Sequence, residues 1–123
     1  MKRWFEQRHA PKPGSYLCDI AEVGESQVRE LKFGTDTHVP FRMFIYNDAG
    51  TLRAYINACP HFNVPLNYLP GELFTTDRRQ FLCMTHYAKF NLDDGRCSEG
   101  PCEGEGLEVI PLLFDGERVL VGD

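Results

Sequence analysis

Apolar residues occur along the chain in short runs separated by turn-forming residues, and no stretch of about three helical turns carries a capped apolar stripe. The runs over residues 15–19, 27–33, 41–47 and 51–57 predict β-strands. The turn Asp48-Ala49-Gly50 separates the last two runs and predicts a β-hairpin. Residues 21–25 predict no more than one helical turn.

The second half of the chain follows the same pattern. Residues 72–75 and 80–82 predict a second short hairpin, and residues 89–92 predict a strand that ends at Asp93-Asp94-Gly95. Residues 108–113 and 118–121 predict a closing hairpin around Asp115-Gly116. The pattern therefore predicts an all-β fold, with residues 1–14 as a flexible N-terminal tail and residues 15–123 as one domain.

Composition and charge indicate a globular domain and disfavour several classes of partner. A chain of 123 residues with 42% hydrophobic and 25% charged residues is typical of one globular domain. Its longest nearly apolar run, residues 109–114, is far shorter than the roughly 20 residues that cross a membrane. A net charge of −5 disfavours nucleic acid and anionic membranes as partners. The first residues carry no apolar signal segment, so we expect a cytoplasmic location.

Two clusters of metal-ligating residue types follow predicted strands: Cys59-Pro60-His61 and Cys83-Met84-Thr85-His86. Together they offer two thiolates and two imidazoles. This donor set suits a closed structural zinc site, and it equally suits a [2Fe–2S] cluster with cysteines on one iron and histidines on the other. Buried cysteines beside structural histidines are the third interpretation.

Cys-x-His followed later by Cys-x-x-His resembles the signature of the Rieske iron–sulfur family. Leu66, Phe90 and the pair Gly100-Pro101 also match that family's pattern. The resemblance implies three small antiparallel sheets with cluster-binding loops at one tip, here within about residues 57–103. It implies one [2Fe–2S] cluster per chain, with Cys59 and Cys83 on the inner iron and His61 and His86 on the outer iron.

The chain departs from the family pattern at several positions. The 21 residues between His61 and Cys83 exceed the usual spacing, and Tyr87 stands where most members have glycine. Respiratory-complex members carry a disulfide between their cluster loops, whereas the matching positions here are Val64 and Thr85. The hydroxyl-bearing residues of those members are replaced by the two residues Ala88 and Phe90. The chain therefore resembles a Rieske-type ferredoxin.

That resemblance implies a soluble one-electron carrier between a flavin-containing reductase and a terminal oxygenase. We expect no catalytic residues, because four ligands would saturate both irons and neither His9 nor His38 lies near a suitable acid in the sequence. One alternative is a small redox subunit of a larger oxidoreductase, such as a nitrite reductase. Another is a zinc-stabilised binding module without redox function.

Three cysteines lie outside the two clusters. Cys18 falls in the first predicted strand and is expected to pack in the core. The spacing of Cys97 and Cys102 would allow a small disulfide, whereas the expected cytosolic location favours two free thiols.

Overall fold

The computed structural model describes residues 3–36, 39–60, 64–102 and 104–123 as ten strands in three antiparallel sheets. In chain order the strands are β1 (Tyr16–Asp19), β2 (Val28–Phe33), β3 (Phe41–Asp48), β4 (Thr51–Ile56), β5 (Gln80–Leu82), β6 (Lys89–Asn91), β7 (Cys97–Glu99), β8 (Val109–Ile110), β9 (Leu112–Asp115) and β10 (Arg118–Val121). In the described part of the chain, the only helical segments are two 3₁₀ turns, Trp4–Glu6 and Ile20–Glu22. The predicted all-β class is confirmed.

The largest sheet has the order β2-β3-β4-β8, and a core cluster packs against each of its faces. Successive side chains of a strand point to opposite faces, so Phe44 and Tyr46 of β3 enter one core cluster, whereas Met43 and Ile45 enter the other. This explains why β3 reads as a nearly continuous apolar run. The predicted hairpin is confirmed, with Asp48 paired to Thr51 across the turn.

A second sheet has the order β1-β10-β9 and brings the two ends of the domain together. Asp115 pairs with Arg118 across the predicted Asp115-Gly116 turn. Residues 108–113, however, do not form one strand. Pro111 lies between β8 and β9 and has no N–H to donate to a ladder, so β8 pairs with β4 and β9 pairs with β10.

The third sheet, β5-β6-β7, is the smallest. The hairpin predicted for residues 72–75 and 80–82 is reduced to one isolated bridge, Phe74 to Phe81, because the main partner of β5 is β6. Strand β7 was not predicted, since only Cys97 of its three residues is buried. Cys83 directly follows β5, and Cys59 shares a core cluster with Phe81 and Phe90 of this sheet.

An aromatic cluster joins the smallest sheet to the largest. Phe81 of β5 lies at its centre, with ring centroids 5.0 Å from Phe44, 5.5 Å from Tyr46 and 5.7 Å from Tyr55. All three pairs are edge-to-face, a geometry that the ring quadrupoles favour. Burial raises the pKa of Tyr55 to about 12, and its hydroxyl donates to the Leu92 carbonyl. The aromatic contacts therefore fix the sheet that positions the second predicted cluster.

The N-terminal segment contributes to the core. Trp4 is only 4% exposed, and its backbone N–H donates to a Glu108 carboxylate oxygen at 2.8 Å. The guanidinium of Arg3 pairs with the same oxygen at 2.9 Å. This docking differs from the flexible tail that the sequence predicts for residues 1–14, because a buried tryptophan supplies apolar contact area that the strand pattern does not reveal. Across the described residues, no helix has the length and apolar character needed to cross a membrane.

Candidate metal centre

The first predicted ligand loop follows β4 and is closed by the buried side chain of Asn57. Its Oδ1 accepts the N–H of Leu66 at 2.9 Å, and its Nδ2 donates to Asn67 at 2.9 Å. Inside this closure, the N–H of Cys59 donates to the Val64 carbonyl at 2.7 Å. The side chain of Cys59 is completely buried. Asn57 was not predicted from the sequence as a residue of the site. The available signal was its position as the one polar residue at an otherwise apolar strand end.

The second predicted ligand loop is a tight turn after β5. The N–H of Cys83 donates to the Ala88 carbonyl at 2.9 Å, and the Cys83 carbonyl accepts the N–H of Tyr87 at 2.8 Å. These two bonds reverse the chain within a few residues. As a result Cys83 is completely buried, whereas His86, three residues later, is exposed.

A direct backbone bond holds the two loops side by side. The N–H of Met84 donates to the Leu66 carbonyl at 2.7 Å. At the surface, the hydroxyls of Tyr68 and Thr85 form a second link at 3.2 Å. Leu66 itself is fully buried, in the same core cluster as both predicted cysteine ligands.

A third loop, after β7, packs against the second. Gly100 has a φ of +106°, and a Cβ at this position would lie 2.8 Å from the Cα of Ala88. Only glycine permits this close approach. The loop then places Cys102 in the same core, where it is 1% exposed.

A third buried thiol therefore lies beside a predicted ligand. Burial raises the pKa of the Cys102 thiol, with further increases from its hydrogen bond with Cys97 and from the neighbouring thiol of Cys59. The Sγ atoms of Cys102 and Cys97 are 3.2 Å apart. The sequence places Cys97 and Cys102 close to each other, but it does not reveal the proximity of Cys102 to Cys59.

The predicted ligands divide into buried sulfur and exposed nitrogen. Cys59 and Cys83 share one buried cluster, and His86 lies at the surface. His61 falls outside the described residues, as does His38. Within the described ranges, no three His, Cys, Asp or Glu side chains form a group that would hold a single metal ion.

A family model provides the decisive comparison. The model of the Rieske [2Fe-2S] domain matches residues 15–112, which include Cys59, His61, Cys83 and His86. The chain belongs to the Rieske [2Fe–2S] domain family. The cofactor of this domain is a [2Fe–2S] cluster, and two buried thiols with an exposed imidazole fit it as a donor set.

Solved Rieske structures share the fold of this chain. The ferredoxin of carbazole 1,9a-dioxygenase from Nocardioides aromaticivorans IC177 has a TM-score of 0.66 at 15% identity, covering 90% of this chain and 98% of that one. The Sphingomonas yanoikuyae B1 ferredoxin has a TM-score of 0.61 at 20% identity, covering 89% and 98%.

A larger chain also contains the fold. The terminal oxygenase of carbazole 1,9a-dioxygenase from Nocardioides aromaticivorans IC177 has a TM-score of 0.69 at 19% identity, covering 91% of this Rieske chain but 30% of the oxygenase. A sequence search of curated proteins found no match.

Tyr87 is one of the positions at which this Rieske domain departs from the family pattern, and its backbone has a conformation that favours glycine. Its φ is +61°, in the left-handed region that favours glycine, and its side chain is 70% exposed. A residue with a Cβ is strained there by about 1–2 kcal/mol. The second loop thus keeps the backbone conformation that glycine would adopt more easily, and the tyrosine ring extends into solvent beside His86.

We predict that Tyr87→Gly stabilises the domain. Relief of the strain exceeds the roughly 0.5–1 kcal/mol of extra chain entropy that glycine loses on folding, so the net gain is up to about 1 kcal/mol. For a domain of this size, that gain raises the temperature of thermal unfolding by about 3–5 °C. Tyr87→Ala is the matched control, because it removes the ring and keeps the strained Cβ. An equal rise in both variants would contradict backbone strain as the cause.

Proposed function

We propose that this protein is a one-electron carrier whose [2Fe–2S] cluster is bound by Cys59, His61, Cys83 and His86. The observation that carries the proposal is the separation of the donors by depth: both thiols are fully buried and His86 is exposed. Sulfur ligands belong on an inner iron and imidazoles on an outer iron in such an arrangement. When bound, the cluster supplies reversible one-electron redox chemistry.

The ligand types set the charge of the proposed site. Two thiolates from Cys59 and Cys83 balance the charge of two ferric ions and two sulfides, while the imidazoles of His61 and His86 add none. The sum is neutral, whereas four thiolates would leave two negative charges. Adding an electron to a neutral site costs less, so the reduction potential is higher than in all-cysteine ferredoxins.

Exposed apolar side chains near His86 support the proposed transfer of an electron to a partner protein. Tyr68, Leu69 and Tyr87 are all more than half exposed, and Tyr68 is linked to the second loop through Thr85. Exposed aromatic and aliphatic side chains of this kind suit a docking surface for another protein. Four protein ligands would leave neither iron an open position, so the proposed role is transfer and not catalysis.

We infer that the acceptor is a terminal oxygenase and the donor a flavin-containing reductase. The support is the match over nearly the full length of two ferredoxins, together with a matching solved complex of oxygenase and ferredoxin in carbazole 1,9a-dioxygenase. A cytoplasmic location, expected from the sequence, belongs to the same proposal.

The alternative is a Rieske subunit or segment of a larger oxidoreductase. The observation in its favour is that oxygenase chains match with TM-scores of 0.69–0.71 over 29–30% of their length, at least as well as the ferredoxins. A zinc-stabilised module is disfavoured, because the chain belongs to a family whose domain carries iron and sulfide.

We predict that the purified protein contains about two iron atoms and two acid-labile sulfides per chain. Cys59→Ser and Cys83→Ser remove buried sulfur donors, so both variants lose most of the iron and much of the fold, as metal binding is coupled to folding. Cys18→Ser, a buried cysteine in the other core cluster, is the matched control and keeps the iron. One zinc without iron, or full iron in the Cys59 variant, would refute the assignment.

The carrier role predicts a reversible wave of one electron per chain in protein-film voltammetry. Rieske centres span roughly −150 to +300 mV, and hydrogen-bond donors near the sulfurs raise the value. Ala88 and Phe90 are fully buried and supply no hydroxyl, so we expect a midpoint below about 0 mV.

The matched variants for this potential are two alanine-to-serine changes. Ala88→Ser adds a donor in the second loop and should raise the midpoint, whereas Ala54→Ser, buried in the largest sheet, should leave it unchanged. An irreversible wave would contradict the carrier role. A wild-type midpoint above about +150 mV would contradict the account of the missing donors.

A further inference from the structure

Two buried cysteines lie in the same core cluster as the proposed cysteine ligands but are not proposed as ligands themselves. Cys97 is 7% exposed and Cys102 is 1% exposed, and their Sγ atoms are 3.2 Å apart. A disulfide requires a separation of about 2 Å, so closing this pair needs a movement of little more than 1 Å. Cys18, the remaining cysteine outside the ligand loops, lies in the other core cluster.

The backbone on both sides of the pair holds the two thiols together. The N–H of Cys97 donates to the Glu105 carbonyl at 2.8 Å, and the N–H of Glu105 donates to the Cys102 carbonyl at 3.0 Å. Both cysteines are thus bonded through the backbone to one residue. Gly100, between them, is seated against Ala88 of the second loop. The approach of the sulfurs is therefore built into the third loop.

We propose that Cys97 and Cys102 are a dithiol that closes to a disulfide when the cluster-loaded protein meets a small-molecule disulfide oxidant. Cys97 lies on β7, an edge strand, and is the more exposed of the two. Its sulfur attacks one sulfur of the oxidant, whose S–S bond breaks and releases one thiol. Cys102 then attacks Cys97, the new S–S bond forms, and the second thiol leaves. Two electrons and two protons pass from the pair to the two released thiols.

Cys102 has two neighbouring cysteines, Cys59 and Cys97, and binding of the cluster decides with which of them it pairs. Cys59 affects the pKa of the Cys102 thiol through a hydrogen bond and its charge, so these two residues are also neighbours. With Cys59 bound to iron, as the proposed function requires, its sulfur is protected from exchange. Cys97 is then the partner that the structure offers to Cys102.

Closing the pair has a consequence for the cluster. The disulfide removes the hydrogen of the Cys102 thiol, which donates to Cys97 in the dithiol and lies in the same core cluster as the proposed ligand Cys59. Loss of a donor near the ligands lowers the reduction potential. This consequence rests on the proposed function, whereas formation of the disulfide itself does not depend on electron transfer.

The sequence makes the disulfide simple to detect. Trypsin cleaves after Arg96 and Arg118, and the intervening peptide contains Cys97 and Cys102 as its only cysteines. Cluster-loaded protein is treated with 2-hydroxyethyl disulfide, and its remaining free thiols are alkylated with iodoacetamide. The protein is then digested with trypsin without reductant, and the peptide masses are measured by mass spectrometry. We expect the peptide to lose the mass of two hydrogens and to carry no alkyl group. Cleavage after Glu99 should then leave its two halves joined.

Matched variants separate the outcomes. Cys18→Ser should form the same disulfide, whereas Cys97→Ala should form none and should keep its midpoint potential after the oxidant. In the wild type, the midpoint should fall on oxidation and return on reduction. Full alkylation of both cysteines in treated wild type would overturn the dithiol proposal, as would a Cys59–Cys102 link. A disulfide without any change in potential would overturn the effect on the cluster while leaving the disulfide established.

Discussion

The backbone bond from the Met84 N–H to the Leu66 carbonyl is the constraint on which the candidate centre depends. Each ligand loop is closed within itself, the first by the side chain of Asn57 and the second by the bonds of Cys83. Neither closure brings one loop to the other. The bond between Met84 and Leu66 does so, since Leu66 follows the first predicted ligand pair and Met84 lies within the second. Two short segments far apart in sequence thereby present their sulfurs to one buried volume.

Burial then gives the two kinds of donor different roles. Fully buried thiolates would be costly without a cation, so Cys59 and Cys83 suit an inner metal ion whose charge they neutralise. The exposed imidazole of His86 faces the side from which a partner would approach. The aromatic contacts of Phe81 anchor the smallest sheet against the largest one. They thereby keep the cysteines in the interior and His86 at the surface. Fold and proposed electron path are therefore parts of one arrangement.

The sequence predicted the features that depend on neighbouring residues. Hairpins such as β3–β4 and the spacing of Cys83 and His86 are local, and their patterns are short and specific. Long-range features were not predicted: the pairing of β8 with β4 after Pro111, the burial of Trp4, and the position of Cys102 next to Cys59. These arise from packing between distant segments, which periodicity does not encode. The ligand roles of Cys59, His61, Cys83 and His86 remain predictions from the resemblance to the Rieske family.

The central claim is that one iron is bound by two cysteines and the other by two histidines. Mössbauer spectroscopy of protein grown on ⁵⁷Fe tests it directly, because the spectrum distinguishes iron with only sulfur ligands from iron that also has nitrogen ligands. The account predicts two different iron sites in equal amounts in the oxidised protein. Two equivalent iron sites with only sulfur ligands would contradict it.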